Sequence, residues 1–289
     1  MVDKFARQLS ELLSGRQIPV SQFSKRNTKR LQTLLETGVL EEVRSGGGRS
    51  YTPCNRDALE RFALKEYPTG LEVSAESGGT PRSQAVATYR DAKKAGSTDA
   101  EVVQLRIGSN ENSKILHRNG EALPIVEWCK AADVAAIRLD ADFQWSASAT
   151  IAIVENLEVF LHFEKLQFPT DLILYAGGKL SGRVLDWLTS PGMQECRITH
   201  FGDYDPVGVD EYLRLKQHCP GRVEMYVPEN IDVLFATYGK AKLLEDSSTL
   251  LIRLREEHDA TVIQLTTLMD THNCGVEQEV LLIPQGTTP

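Results

Sequence analysis

The residues best suited to chemistry in this sequence are three acids that follow strand-like runs. Glu155 directly follows Ile151-Ala152-Ile153-Val154, and Asp203 and Asp205 follow Arg197–Phe201 in the stretch Gly202-Asp203-Tyr204-Asp205-Pro206-Val207-Gly208. Alternate residues of an extended segment project to the same side. Asp203 and Asp205 can therefore offer two carboxylates together, toward Glu155 if the two runs are neighbouring strands. Converging carboxylates repel one another and lose hydration, which a divalent cation compensates. Oxygen-only ligands suit Mg²⁺, which keeps several waters and takes substrate phosphate as a further ligand. Pro206 and Gly208 would turn the chain into a helix whose N-terminus favours phosphate. Taken singly, an Asp-x-Asp is more often a turn or a helix cap, and a strand-terminal Glu is usually solvated. Both features in register on alternate strands make a metal site the more specific reading.

Such a cluster needs a parallel sheet to position it, and from about residue 149 the pattern supplies one. The runs Ile151–Val154, Asp171–Tyr175, Arg197–Phe201 and Val223–Val227 predict strands, the second ended by Gly177-Gly178. Leu157–Leu166, Leu180–Leu188 and Val207–Lys216 predict the helices between them. Apolar strands alternating with helices predict a parallel sheet covered on both faces, with any ligand beyond the carboxyl ends of the strands.

The first 66 residues follow a different plan. Phe5, Leu9, Leu12 and Leu13 share a helical face, Leu31, Leu34 and Leu35 line a second, and Val39–Arg44 and Arg49–Thr52 flank a Gly-rich tip. Helix, turn, helix, hairpin is the order of a winged helix. Lys25, Arg26, Lys29 and Arg30 open the second helix, and Arg44 and Arg49 flank the wing, where such a module meets phosphates. The alternative is a solvated helix face in a protein–protein module. Residues 67–148 predict a linker and small helical connector: a Ser-, Gly- and Glu-rich stretch over Glu72–Pro81, helices over Ser83–Lys94 and Ile125–Ala136, and a strand at Val102–Ile107.

Composition bounds the function classes. With 41% hydrophobic and 25% charged residues in a chain of 289, the sequence is globular rather than disordered or fibrous. It has no run of ~18 apolar residues and opens on Met1-Val2-Asp3-Lys4, so we expect neither a membrane span nor a signal peptide, and a cytoplasmic location. The 5 cysteines include no Cys-x-x-Cys pair, which argues against a disulfide framework or a zinc knuckle. The net charge of −8 hides a division: residues 1–66 hold 12 Lys/Arg against 8 Asp/Glu, net +4, leaving 20 against 32, net −12, for the rest. A basic head on an acidic body suggests that the head touches a polyanion.

Several segments together resemble a known family. Val154-Glu155-Asn156-Leu157, Tyr175-Ala176-Gly177-Gly178, His200-Phe201-Gly202-Asp203-Tyr204-Asp205-Pro206-Val207-Gly208 and the late Gly275-Val276-Glu277-Gln278-Glu279 are similar to a Toprim domain, the metal-binding module of primases, topoisomerases and several nucleases. The resemblance covers about residues 149–283. It is nearest to the topoisomerase VI A subunit and, more narrowly, to the JetD/MksG-type nucleases of Wadjet condensin-like anti-plasmid systems. With the readings of the first 148 residues above, it gives an α/β protein with an N-terminal winged-helix domain over 1–66, the connector over 67–148, and a C-terminal Toprim-like parallel α/β sheet domain over 149–289. It implies cleavage of double-stranded DNA, with Glu155 as general acid/base and ligand, and with Asp203 and Asp205 holding Mg²⁺ or Mn²⁺. Glu277 would be a further ligand or positioning group, or else a surface carboxylate, and Lys179 a phosphate contact or a solvated lysine. The implied partners are an SMC-type ATPase complex with its kleisin and accessory subunits, and a second copy of the chain, with no membrane. Topoisomerase VI cleaves with a winged-helix tyrosine, whereas the head here offers only Tyr51, on the returning wing strand. Hydrolysis by water is therefore expected over transesterification. The alternatives are a non-catalytic DNA-binding adaptor and a strand-passing topoisomerase subunit.

Overall fold

The computed structural model describes residues 4–67, 70–71, 80–89, 93, 100–109, 115–140 and 142–284. The chain divides into two compact units, Met1–Thr98 and Asp99–Pro289.

In the first unit, α1 (Lys4–Leu13) is followed by β1 (Ile18–Pro19), α2 (Lys25–Glu36), the hairpin β2 (Leu40–Ser45) and β3 (Gly48–Pro53), α3 (Arg56–Glu66) and α4 (Pro81–Tyr89). β3 lies between β1 and β2, antiparallel to both. The helix, helix, hairpin order read from the sequence is present, with α3 added. Ser24 starts α2 by accepting a hydrogen bond from the Asn27 N–H, and Asn55 does the same for α3 through Ala58. Phe5, Leu9, Leu12, Leu31, Leu40, Tyr51 and Leu59 form one buried core. Of the stretch expected as a linker, residues 72–79 lie outside the described residues, as do 90–92 and 94 of the helix expected over Ser83–Lys94.

The second unit is built on a six-stranded sheet. Its strands are β4 (Glu101–Ile107), β7 (Ala135–Leu139), β9 (Thr150–Val154), β10 (Leu172–Tyr175), β11 (Arg197–Phe201) and β12 (Val223–Met225), ordered β12-β11-β9-β10-β4-β7. The short strands β5 (Leu116–Arg118), β6 (Glu121–Ala122) and β8 (Trp145–Ala147) form a small separate sheet. The helices are α5 (Ile125–Ala132), α6 (Leu157–Leu161), α7 (Gly182–Thr189), α8 (Pro206–His218), α9 (Ile231–Tyr238), α10 (Lys242–Glu245), α11 (Ser248–Leu254) and α12 (Ala260–His272). No helix among the described residues is long and apolar enough to cross a membrane.

β9, β10, β11 and β12 are mutually parallel, as their apolar runs predict. β9 shows why such a run is legible. Ile151 and Ile153 enter the large core on one face, and Ala152 and Val154 pack with Phe160, Phe163 and Phe201 on the other. A strand covered on both faces cannot alternate with polar residues.

The sheet is nevertheless mixed, and the span expected as a connector contributes to it. β4 pairs antiparallel with β10, and β7 antiparallel with β4. The helix expected over Ile125–Ala136 stops at Ala132, where Asp133 takes a left-handed φ of 64° and its N–H bonds to the Cys129 carbonyl. A left-handed terminator is usually Gly, so Asp in that position gave no signal. Beyond it, Ala135, Ile137 and Leu139 are buried while Ala136 and Arg138 are exposed, the alternation of an antiparallel strand with one wet face.

Candidate functional site

The site lies where two adjacent parallel strands end. β9 and β11 are in register, Val154 opposite Phe201, and the ladder runs one residue further through the Glu155 N–H, which donates to the Phe201 carbonyl at 3.1 Å. Glu155 and the Gly202-Asp203 turn are therefore neighbours. On the other side of β9, the loop after β10 backs Glu155, with the Gly178 N–H donating to the Glu155 carbonyl at 3.3 Å. Gly177 and Gly178 both have positive φ, 63° and 92°, which explains two successive glycines where that chain turns away.

Asn156 then starts α6. Its side-chain oxygen accepts the N–H groups of Glu158 and Val159, so the chain leaves β9 sharply and Glu155 stays at the sheet edge. Asp205 does the equivalent for α8, accepting the Gly208 N–H at 2.8 Å with Pro206 in the first turn. The helix-cap alternative for the Asp-x-Asp thus describes one of its two residues. Asp205 is 6% exposed, and the cap engages Oδ1.

A late segment closes the site. Tyr204 and Val276 pair in both directions, Tyr204 N–H to Val276 O at 2.8 Å and Val276 N–H to Tyr204 O at 3.1 Å. Lys240 and Gly275 pair in the same way. This strap brings Gln278 over the acids: its backbone N–H donates to Asp203 Oδ1 at 2.7 Å, and its side-chain Oε1 accepts the Asn156 N–H at 3.0 Å. Asn156 Nδ2 in turn donates to Glu279 Oε1 at 2.7 Å. Glu277 faces outward in an ion pair with Lys240. Gly275 permits the close crossing, since a methyl group there would sit 2.9 Å from the Asp205 Cβ.

The electrostatics follow from this crowding. Burial, chiefly, pushes the Asp203 carboxyl up to about 7; the Gln278 N–H opposes the rise, and Asp205, Glu155 and Glu279 add to it. Asp205 is also raised by burial, against the Gly208 and Val207 N–H groups, with Glu155 and Glu277 adding to the rise. These acids sense one another, the condition under which a cation is favoured. Among the described residues, no three His, Cys, Asp or Glu side chains are already set to share one metal ion. Mg²⁺ asks for less, since one or two carboxylates suffice when water and substrate phosphate complete the shell. Asp203, poorly compensated and at the mouth of the turn, fits that demand, with Glu155 beside it.

The structure brings together Glu155, Asp203 and Asp205, with Glu277 at the rim. The exposed side chain of Lys179 turns instead to Glu211, 4.0 Å away, a buried acid held by Arg214. In the first unit Lys25, Arg26, Lys29 and Arg44 are exposed. Arg30 instead serves the interior of its own unit, pairing with Glu66 and lying over the Phe5 ring, 4.1 Å from its centroid. Arg49 pairs with Glu42 at 2.8 Å and faces Arg44 across the hairpin. Tyr51 is 1% exposed, edge-on to Phe23, and belongs to the core.

Sequence reasoning assigned no role to His200, Gln278, Asn156 or Lys240. His200 carried a signal, being the one ionisable side chain on the buried positions of β11. Gln278 carried one only as a member of the Glu277-Gln278-Glu279 segment, and Lys240 carried none, because their place depends on a strap that pairs far along the chain.

No curated protein matches the chain. The model of one family, described as Domain of unknown function (DUF7281), matches residues 102–287, from β4 to the end of the strap. That span is nearly two thirds of the 289 residues and takes in all of the six-stranded sheet but Glu101, and on it the chain belongs to the DUF7281 family.

Proposed function

We propose that this chain is a metal-dependent DNA endonuclease, with a Toprim-like second unit and a winged-helix first unit. The observation that carries the reading is the meeting of Glu155 with Asp203 at the ends of β9 and β11, where burial and three neighbouring acids leave Asp203 short of positive charge. Parallel α/β sheets place their chemistry at such carboxyl ends.

Asp203 and Glu155 would hold Mg²⁺ or Mn²⁺, with Asp205 and Glu277 adding negative potential. When bound, the ion supplies charge neutralisation at the scissile phosphate and makes water a better nucleophile. Glu155 has Oε1 engaged by His200, so Oε2 is the atom left to face the ion or to take a proton from the attacking water as the water oxygen bonds to phosphorus. The sugar oxygen leaves as the P–O bond breaks and recovers a proton from solvent or from Glu155. Buried Tyr51 is out of reach for attack on a phosphate, which supports hydrolysis rather than a covalent link to DNA.

The exposed Lys25, Arg26 and Lys29 on α2 and Arg44 on the hairpin support duplex binding by the first unit. Lys179 and Lys240 are exposed cations near the strand ends that can meet the phosphate backbone. The acidic remainder of the chain disfavours free access of duplex elsewhere. We therefore place the enzyme as a homodimer, the nuclease subunit of an SMC-type ATPase complex with kleisin and accessory subunits that acts on plasmid DNA.

The test is cleavage of supercoiled plasmid by wild type and Asp203→Ala, with Mg²⁺, Mn²⁺ or chelator, and with and without partner subunits. Metal-dependent nicking or linearisation that Asp203→Ala abolishes is expected. Cleavage by neither protein under any condition, with DNA binding intact, would instead make the chain an adaptor.

A further inference from the structure

His200 contributes to this site from inside the sheet. It lies on β11, is 0% exposed, and sets Nε2 2.9 Å from Glu155 Oε1. A carboxylate oxygen only accepts, so Nε2 carries the proton in this contact. The ring is stacked beside Tyr212, 6.5 Å between centroids, and Nδ1 is buried with no hydrogen-bond partner. Leaving a ring nitrogen unpartnered in a core is unfavourable, and an apolar side chain at this position would avoid it. The position thus keeps a donor aimed at one acid at a cost to packing.

The space around the pair is closed. A methyl group on Gly202 would come within 2.6 Å of His200 Cε1 and 3.2 Å of Glu155 Oε1. Glu155 itself is 13% exposed, so one edge of its carboxylate meets the imidazole while the other reaches the strand ends. A flexible Glu at a strand end loses side-chain freedom when it binds an ion; one already held loses less.

We propose that His200 is a positioning residue that fixes the Glu155 carboxylate for ion binding. This rests on the reading of the site as a Mg²⁺ or Mn²⁺ centre. Partners of this kind are worth about 10–100-fold in ion affinity. Gln could replace His in this role, because its amide nitrogen reaches about as far as Nε2 and also donates; Leu fills similar space and cannot donate.

The experiment measures Mn²⁺ binding to the full chain by the electron paramagnetic resonance signal of free Mn²⁺, with thermal melting on the same samples. Wild type, His200→Gln and His200→Leu are compared, with Asp203→Ala as the control for the site. The expected result is Mn²⁺ binding by wild type, a loss of about 10-fold or more in folded His200→Leu, and recovery of most of it in His200→Gln. Equal affinity in wild type and folded His200→Leu overturns the positioning role while leaving the metal site standing. Absence of binding by wild type overturns the metal site and this inference with it. If His200→Leu does not fold, Gly202→Ala is measured instead, since its methyl group displaces the same pair from the turn; unchanged affinity in that variant overturns the role.

Discussion

The backbone N–H of Gln278 donates to Asp203 Oδ1 at 2.7 Å, joining residues 75 positions apart in the chain. Gln278 is fully buried, and its side chain reaches the Asn156 N–H at the start of α6, so one residue ties the ends of β9 and β11 together. The acids are thereby held near one another against their mutual repulsion.

The burial of Asp203, with that repulsion added to it, sets a pH dependence. The Asp203 carboxyl, at about 7 in the folded chain, is raised above its ordinary 3.8, so the folded state holds a proton that the unfolded state has released. Stability should fall as pH rises from about 4 through about 7, by on the order of a few kcal/mol in the absence of divalent ions. Asp203→Asn should flatten this fall and melt higher than wild type at pH 8. Mn²⁺ should raise the melting temperature of wild type more at pH 8 than at pH 5, and should not raise that of Asp203→Asn. Calorimetry across pH measures all three.

Lys240 pairs with the strap at Gly275, forms an ion pair with Glu277 and is close enough to Asp203 and Glu279 for its charge to be felt there. Its side chain is 56% exposed, so Lys240→Ala should leave the melting temperature nearly unchanged. The same change removes a positive charge from the approach of a cation and frees Glu277. Mn²⁺ affinity should rise a few-fold, an effect that shrinks with added salt.

Gly208 lies in the first turn of α8, and a methyl group there would press into the backbone of Asp203. Gly208→Ala should therefore displace the Asp203 turn, lower the melting temperature and weaken Mn²⁺ binding together. Unchanged binding in a folded Gly208→Ala protein would show that the turn tolerates displacement.

The basic residues of the first unit should separate by role. Arg30→Ala loses the pair with Glu66 and the Phe5 ring face, and should destabilise that unit by about 1 kcal/mol or more. Lys25→Ala, Arg26→Ala and Lys29→Ala leave the core untouched. Each of the three should weaken duplex binding and reduce the slope of log affinity against log salt by about 1. Fluorescence anisotropy titrations at several salt concentrations, with melting curves, distinguish the two classes.

The two strands that carry Glu155 and Asp203 were legible for different reasons. β9 is buried on both faces and apolar in succession. β11, Arg197-Ile198-Thr199-His200-Phe201, was placed by the alternation of strands with helices and by the Gly-Asp turn that ends it. The turn Gly202–Gly208 was legible through its acids and its Pro and Gly. β7 was not, because Asp133 ends α5 without a glycine and the strand that follows is short and rich in alanine. The strand at Val102–Ile107 was expected, but its place beside β10 was not, since pairing between distant segments leaves no local period.

The division within the site has the same origin. Residue type and spacing along the chain determined which carboxylates stand at strand ends and which oxygen chemistry they offer, because strand period and capping are local properties. Only the tertiary structure decided that Arg30 serves the core, that His200 holds Glu155 and that Gln278 bridges to Asp203. Those contacts join residues 36 to 75 positions apart, and those at the site depend on which strands lie side by side and where the strap crosses them.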